Sequence, residues 1–317
     1  MFVCTNSTAG ANVWSNVGPG TSNVAPIGNY MSATGGVVTT DGNFKVHTFT
    51  SSGFFTPAIG SDAALGNKVD YLVIAGGASG GSRYGGGGGA GGYRNSYNSE
   101  TSGGGGPSEA ALTVISTALT VTIGAGGTSV TDPTTANGNN GTNSVFSSIT
   151  SVGGGGGGYR SAASSTTSGN VGGSGGGAGD NYFNTTVGGA AGTSNQGYAG
   201  GGSIHVPYLG SGGGGAGSVG YNSNHASQAG VGGDGFESFI GGLGVTRAGG
   251  GGGANSSGNV GAAGGTGGGG GGAGGNGASV AGTANTGSGG GGGSDTTNVY
   301  NSGAGGSGIV IIRYRFQ

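Results

Sequence analysis

With 317 residues, 93 of them glycine, and only 6% charged, the chain departs from ordinary globular composition. Six prolines and no strict triplet period exclude collagen, and a hydrophobic fraction of 32% with almost no charge does not fit the usual signature of disorder. A net charge of −2 gives no field to attract nucleic acid or an acidic membrane, and an RGG-type RNA-binding tract needs many arginines next to glycine, whereas only a handful of arginines occur (including Arg83, Arg94, Arg160 and Arg247).

Residues 1–35 read as a short connector. Two extended runs, 2–5 and 12–17, flank a turn-rich middle, and Gly18-Pro19-Gly20 ends the pattern. Trp14 is the single tryptophan and reads as the anchor of this hairpin. Cys4 is the single cysteine, so it reads as a small hydrophobe, with no disulfide inside the chain and no cysteine-based metal site. The first residues lack the basic and apolar regions of a secretion signal, and no run of eighteen apolar residues occurs. A role outside a cell then implies release by lysis within a virus particle, or a longer chain of which this is a piece.

Residues 36–152 read as a strand-rich base with a first glycine excursion at 76–106. The run 37–40 (Val-Val-Thr-Thr), an Asp41-Gly42 turn and the run 44–50 predict a hairpin. His47 falls in its alternating second strand and reads as a surface residue. With no second histidine or carboxylate cluster beside it, no metal site is expected. The run 69–75 is strongly apolar and leads straight into glycines. A dinucleotide-binding turn would need a helix there, but Ser82-Arg83-Tyr84 and five more glycines follow, which cannot nucleate one. Further strands are predicted at 110–115, 119–124 and 145–152. Residues 309–317 form a closing strand as apolar as 69–75, so 153–308 is one long excursion from a β base. No amphipathic helix is visible.

The excursion at 153–308 is built of glycine blocks, including 153–158, 249–253, 267–272 and 289–293, separated by short polar loops. Ordering glycine costs more backbone entropy than ordering any other residue. Helices of the polyproline-II type have three residues per turn and no internal hydrogen bonds, so their backbone groups must pair with neighbouring chains. Only near-complete glycine lets such helices approach closely enough. A six-residue block then spans about 19 Å. Eleven or twelve blocks are visible, and a return to the base requires an even number of passes. Ala178, Ala216 and Ala273 are expected to face outward or a neighbour that accepts a methyl. The competing reading is a flexible linker, against which stand the recurring loop aromatics, including Tyr159.

Six stretches occur in a fixed order: HTFTSSGFF at 47–55, VDYLVIAGGASGG at 69–81, YGGGGGAGGYR at 84–94, LTVTIGAGGTS at 119–129, SVGGGGGG at 151–158 and GGSGIVIIRY at 305–314. Together they resemble the glycine-rich domain at the C-terminal ends of bacteriophage tail fibres and tail-tip adhesins, over about residues 46–315. The first eighteen residues resemble the connector that precedes such domains. The resemblance implies a layered polyglycine-II bundle on an all-β base, with distal loops that bind a host-surface glycan or outer-membrane protein. It also implies neighbouring fibre or tail proteins as partners, a virion location, and an assembly that is either a trimer or a single-chain tip.

The candidate receptor-binding residues are Tyr182, Phe183, Tyr198, His205, Tyr208, Tyr221, His225, Phe236 and Phe239. Each has a plain alternative as a plug over the bundle end. Aromatics supply rigid contact area, and Ser, Asn and Gly supply adaptable hydrogen bonds. Scattered histidines, unpaired acids and the lack of a strand–GxSxG–helix context argue against an enzyme, and no cofactor or nucleic-acid partner is expected. A structural fibre or sheath built from many copies is the alternative function. An ice-binding bundle would need a flat regular Thr or Ala array, which the irregular loops do not offer.

Overall fold

The computed structural model describes residues 2–6, 13–16, 30–60, 66–131, 134–160, 168–180, 186–203, 208–224, 228–256, 260–274, 277–295 and 301–317. Among them the chain is all-β with no α-helix; two short 3-10 turns, Tyr97–Ser99 and Gly103–Gly105, are its helical content.

The strands are β1 (Phe2–Asn6), β2 (Val13–Asn16), β3 (Ser32–Thr34), β4 (Val37–Asp41), β5 (Phe44–Phe49), β6 (Gly53–Ala58), β7 (Lys68–Ile74), β8 (Tyr93–Asn95) and β9 (Leu112–Thr113). They continue with β10 (Leu119–Thr122), β11 (Ser144–Phe146), β12 (Ile149–Ser151), β13 (Phe236–Ser238), β14 (Val245–Arg247) and β15 (Ile309–Arg315). β1 and β2 pair as an antiparallel hairpin that sets Cys4 opposite Trp14. The base is a sandwich of two antiparallel sheets, ordered β4-β5-β15-β7-β8 and β12-β11-β10-β6-β3, with β9 added to β7. The closing strand β15 lies between β5 and β7.

Strand alternation sorts the side chains. Tyr71 and Val73 of β7, with Val310, Ile312 and Tyr314 of β15, face the second sheet and pack on Phe49, Phe55, Val121 and Phe146. The intervening Leu72, Ile74, Ile309 and Ile311 face the other way, against Ala90, Tyr93, Ala216, Ile240 and Ala248. Both central strands are therefore buried on both faces, which their unbroken apolar runs require. The Asp-Gly turn of the β4–β5 hairpin is present, with Gly42 at φ +54°.

His47 differs from the surface position expected for it. It is fully buried in the sandwich, where its Nδ1 lies 2.7 Å from the Gly35 carbonyl and its ring packs edge-on against Phe55. Donation to that carbonyl assigns the Nδ1 proton, and burial pushes the imidazole below its ordinary pKa. Alternation placed His47 correctly on one face. It did not reveal that this face lies under a second sheet.

The glycine region forms a lattice of extended rods. Rod 85–92 shows its rule. The N–H groups of Gly85, Gly88 and Gly91 donate to Gly293, Gly290 and Gly287. Those of Gly86, Gly89 and Gly92 donate to Gly158, Gly155 and Val152, and those of Gly87 and Ala90 to Ser211 and Gly214. Donors thus turn to a new neighbour at each residue and return every third, the signature of a three-residue helix without internal bonds. Its carbonyls accept from rods 75–81, 174–180 and 248–255 in the same rhythm. Six rods therefore surround 85–92, and it is the centre of the lattice. The first glycine excursion, at 76–106, thus contributes the central rod to the same lattice as 153–308.

Hydrogen bonding defines eighteen rods among the described residues: 75–81, 85–92, 124–130, 136–143, 152–160, 168–173, 174–180, 186–192, 197–203, 208–215, 219–224, 228–235, 248–255, 260–266, 269–274, 278–283, 288–295 and 301–308. The last fourteen of these lie between β12 and β15, an even number where blocks of glycine alone suggest eleven or twelve. Short or serine- and valine-bearing passes such as 219–224 and 278–283 escape a search for glycine runs. Ala178 and Ala216 are wholly buried and Ala273 nearly so, rather than facing outward. For Ala216 the room comes from the apolar cluster under the lattice.

Six rods run directly into base strands: 75–81 from β7, 85–92 into β8, 124–130 from β10, 136–143 into β11, 152–160 from β12 and 301–308 into β15. At each junction the side-chain period of two gives way to a backbone period of three.

One inner rod is completed by side chains. In rod 152–160, Gly154 and Gly157 donate to rod 75–81, and Gly155 and Gly158 to rod 174–180. The third direction has no backbone carbonyl. There Gly153, Gly156 and Tyr159 donate to the side-chain oxygens of Asn143, Asn140 and Asn137 at 2.9, 2.9 and 3.1 Å. Asparagines spaced by three on rod 136–143 stand in for a missing rod, so the buried donors stay satisfied.

Candidate functional site

The inner rods end, away from the base, in the residues that interrupt their glycines. Arg83 and Tyr84 form the turn between 75–81 and 85–92, Tyr159 and Arg160 end 152–160, Asp180 ends 174–180, Tyr208 begins 208–215, Asn255 ends 248–255 and Asp295 ends 288–295. Rods of about seven residues at about 3.1 Å per residue set this distal face about 20 Å from the base sheet.

Backbone bonds fix the centre of the face. The Arg160 N–H donates to the Arg83 carbonyl and the Asp180 N–H to the Tyr84 carbonyl. The Tyr84 and Tyr208 rings meet edge-on at 5.1 Å, and the Arg160 guanidinium lies 4.7 Å from the Tyr208 centroid and 5.4 Å from that of Tyr84. Arg160 pairs with the buried Asp180 carboxylate at 3.0 Å, and Arg83 pairs with Asp295 at 3.0 Å. The two ion pairs cancel, so this cluster has no net charge. Burial, with the Asp295 carboxylate nearby, pushes the Tyr84 phenol above its ordinary pKa.

Three of these residues hold a backbone that L-side chains resist: Arg83 and Tyr84 at φ +53° and Tyr208 at φ +72°. Such conformations cost about 1 kcal/mol or more each and concentrate at functional sites. Arg83 and Tyr84 are held so because the central turn must reverse within three residues between two fully bonded rods.

Of the residues singled out from sequence, Tyr208 belongs to this face and is 41% exposed. Tyr182, Phe183, His205 and His225 lie outside the described residues. Tyr221 is not in a loop. Its N–H donates to Val231 within rod 219–224, and its ring projects from the flank, 58% exposed.

Tyr198, Phe236 and Phe239 lie at the opposite end. Tyr198 begins rod 197–203, beside the turn whose Gln196 carbonyl accepts the Tyr93 N–H of β8. Phe236 sits 6.1 Å from the Tyr93 ring, and the Phe239 N–H donates to Glu100 at 2.9 Å. The segment 236–247 reads from sequence as another interruption of glycine, but it folds as the β13–β14 hairpin. Ile240 is buried against the base sheet, and the hairpin is fastened by Arg313, which bonds the Ile240 carbonyl at 3.3 Å and pairs with Asp41 at 2.8 Å. A loop's end of the lattice depends on the parity of its pass, which the short rods conceal.

Sequence reasoning did not select Tyr84, Arg160, Asp180 or Asp295. Their signal was local: charged and aromatic residues packed at the ends of glycine blocks, as in Arg83-Tyr84 and Tyr159-Arg160. No group of histidine, cysteine and acidic residues suited to a metal occurs among the described residues, and no described helix is long and apolar enough to cross a membrane.

Residues 48–315, most of the chain, match a family described as a glycine-rich domain. No curated protein matches the chain.

Proposed function

This chain belongs to the glycine-rich domain family, and from that footing we propose that it is the tip domain of a bacteriophage tail fibre or tail-tip adhesin. In this reading its distal face recognises a receptor on the host cell surface, either a glycan or an outer-membrane protein, and the protein is carried on the virion. The ordered resemblance to such tip domains supports the assignment. The observation that carries it is the distal cluster, where Arg160 lies over Tyr84 and Tyr208 on strained backbone at one end of a rigid lattice. A lattice whose interior is backbone has few side chains to spend on recognition, so those at its end are concentrated there. The exposed Tyr208 ring, backed by the buried Tyr84 ring and by Arg160, suits a binding hot spot.

The test is binding of the purified chain to susceptible cells and its competition with virus for them. Tyr208→Ala is expected to weaken cell binding about tenfold or more, with the thermal midpoint nearly unchanged. A chain that neither binds such cells nor competes with virus overturns the proposal.

One feature favours a second reading, assembly of many copies into a fibre or sheath. Among the described residues β4 is an unpaired sheet edge, without charge or proline over Val37–Thr40, and Val37 is 68% exposed. Electron microscopy separates the two: a continuous array of this chain supports the sheath, and one or three copies at a fibre end support the tip.

A further inference from the structure

At three places an asparagine amide makes a contact between the distal ends of consecutive rods. Rod 152–160 ends at Arg160, and rod 168–173 begins at Ser168. Asn137, on rod 136–143, reaches the ends of both. Its Oδ1 accepts the Tyr159 N–H at 3.1 Å, and its Nδ2 donates to the Ser168 carbonyl at 3.2 Å and to Asn170 Oδ1 at 3.0 Å. Between rods 248–255 and 260–266, Asn255 Oδ1 accepts the Ser256 N–H at 2.7 Å and Nδ2 donates to the Val260 carbonyl at 3.1 Å. Between rods 219–224 and 228–235, Asn224 Nδ2 donates to Gln228 Oε1 at 3.1 Å, and its backbone N–H donates to the Gln228 carbonyl at 3.1 Å. An amide carries a donor and an acceptor on one rigid plane. Two rod stems offer one N–H and one carbonyl, so an amide can bridge them while a carboxylate cannot.

We propose that Asn137 and Asn255 are positioning residues, each holding the distal ends of two consecutive rods at the spacing of the lattice. For Asn137 the consequence reaches the aromatic cluster, because the Tyr159 it holds is followed by Arg160. The clamp itself stands on these contacts alone; its bearing on recognition rests on the function proposed above.

Asn140 supplies the control. It accepts from Gly156 at 2.9 Å and from Asn170 Nδ2 at 2.9 Å, and its described bonds use only its acceptor. Asn140→Asp keeps both bonds. Asn137→Asp loses its two donated bonds and sets a carboxylate against the Ser168 carbonyl.

Amide exchange on the whole chain reads the difference. At pH 7, Asn137→Asp is expected to raise exchange at Tyr159, Arg160 and residues 168–170 about tenfold or more, the effect of one buried group losing its partner. Rod 85–92 stays protected, and Asn140→Asp behaves as wild type. Acidification restores an O–H donor to Asp at 137, so protection returns at a midpoint above the about 3.9 of a free aspartate, raised by the facing oxygens. Unchanged exchange at the stems, loss of protection spreading equally through rod 85–92, or no recovery in acid overturns the clamp. Cell binding by the same variants is expected to fall for Asn137→Asp alone. Stems that open while cell binding holds leave the clamp standing and overturn the receptor role of this face.

Discussion

The base and the lattice are two halves of one chain held together in opposite ways. In the base, Phe55, Tyr71, Phe146 and Ile312 fill the space between sheets, and burial of their side chains supplies the driving force. In the lattice the interior is peptide backbone, and the inward positions hold hydrogen atoms. A Cβ built on Gly88 would overlap the carbonyls of Ala78 and Ser79, and one on Gly251 the Gly290 carbonyl. The same demand, that buried donors and acceptors be paired, is met by ladders in one half and by three-way rod contacts in the other. Where the halves meet, Ala90, Ala216 and Ala248 pack on Leu72 and Ile74. Side chains return as soon as the neighbour is a sheet rather than a rod.

Substitutions that add or remove a few atoms test this contrast directly. The largest effect is expected from Gly88→Ala in the central rod. A single methyl has nowhere to go among fixed carbonyls, so a loss of about 4 kcal/mol or more, or failure to fold, is expected in denaturant titration. Mild destabilisation would mean that rods can separate, and the contrast would fail.

In the base the destructive change is the reverse one. Phe146→Ala is expected to cost about 3–5 kcal/mol by leaving a cavity. Because six rods continue as strands, both halves are expected to unfold in one transition, followed by far-UV and tyrosine signals together. Two separated transitions would show that the lattice stands without its base.

Acid should weaken the base through His47. Burial lowers its folded pKa below about 6.5, so the unfolded chain binds the extra proton first. Stability is therefore full above about pH 6.5 and declines as pH falls through the folded pKa. His47→Gln is expected to flatten the unfolding midpoint over that window, and an unchanged slope would exclude His47 as its source.

The smallest effects are expected at the lattice rim. An added Cβ at Gly188 meets nothing within 4 Å, and at Gly271 it stays 3.5 Å from the nearest atom. Alanine at either site is expected to be neutral or to stabilise by about 0.4–1 kcal/mol through the unfolded chain. Losses as large as that of Gly88→Ala would mean that these rods are interior.

Much of this architecture was legible without coordinates. Apolar strand runs that adjoin glycine marked β7, β10 and β15, and the Asp-Gly turn marked the β4–β5 hairpin. Composition, with the recurring loop aromatics, favoured a core made of backbone over a flexible linker. The asparagines at 137, 140 and 143 were not singled out from sequence, because their spacing by three has meaning only once a missing neighbour is known. The candidate site was less legible. Tyr208 joined Tyr84 and Arg160 in space, whereas Tyr198, Phe236 and Phe239 went to the base end.

The sequence by itself determined the kind of order: strands where β-branched and aromatic residues alternate, three-residue rods where only hydrogens face inward. Both are local consequences of side-chain size and of the need to pair the backbone. Tertiary structure alone decided which rod lies beside which, which end each turn occupies, and that His47 lies under a second sheet. Every glycine rod presents nearly the same surface, so neighbours are chosen by the turns, the base strands and the asparagines that close the one incomplete side.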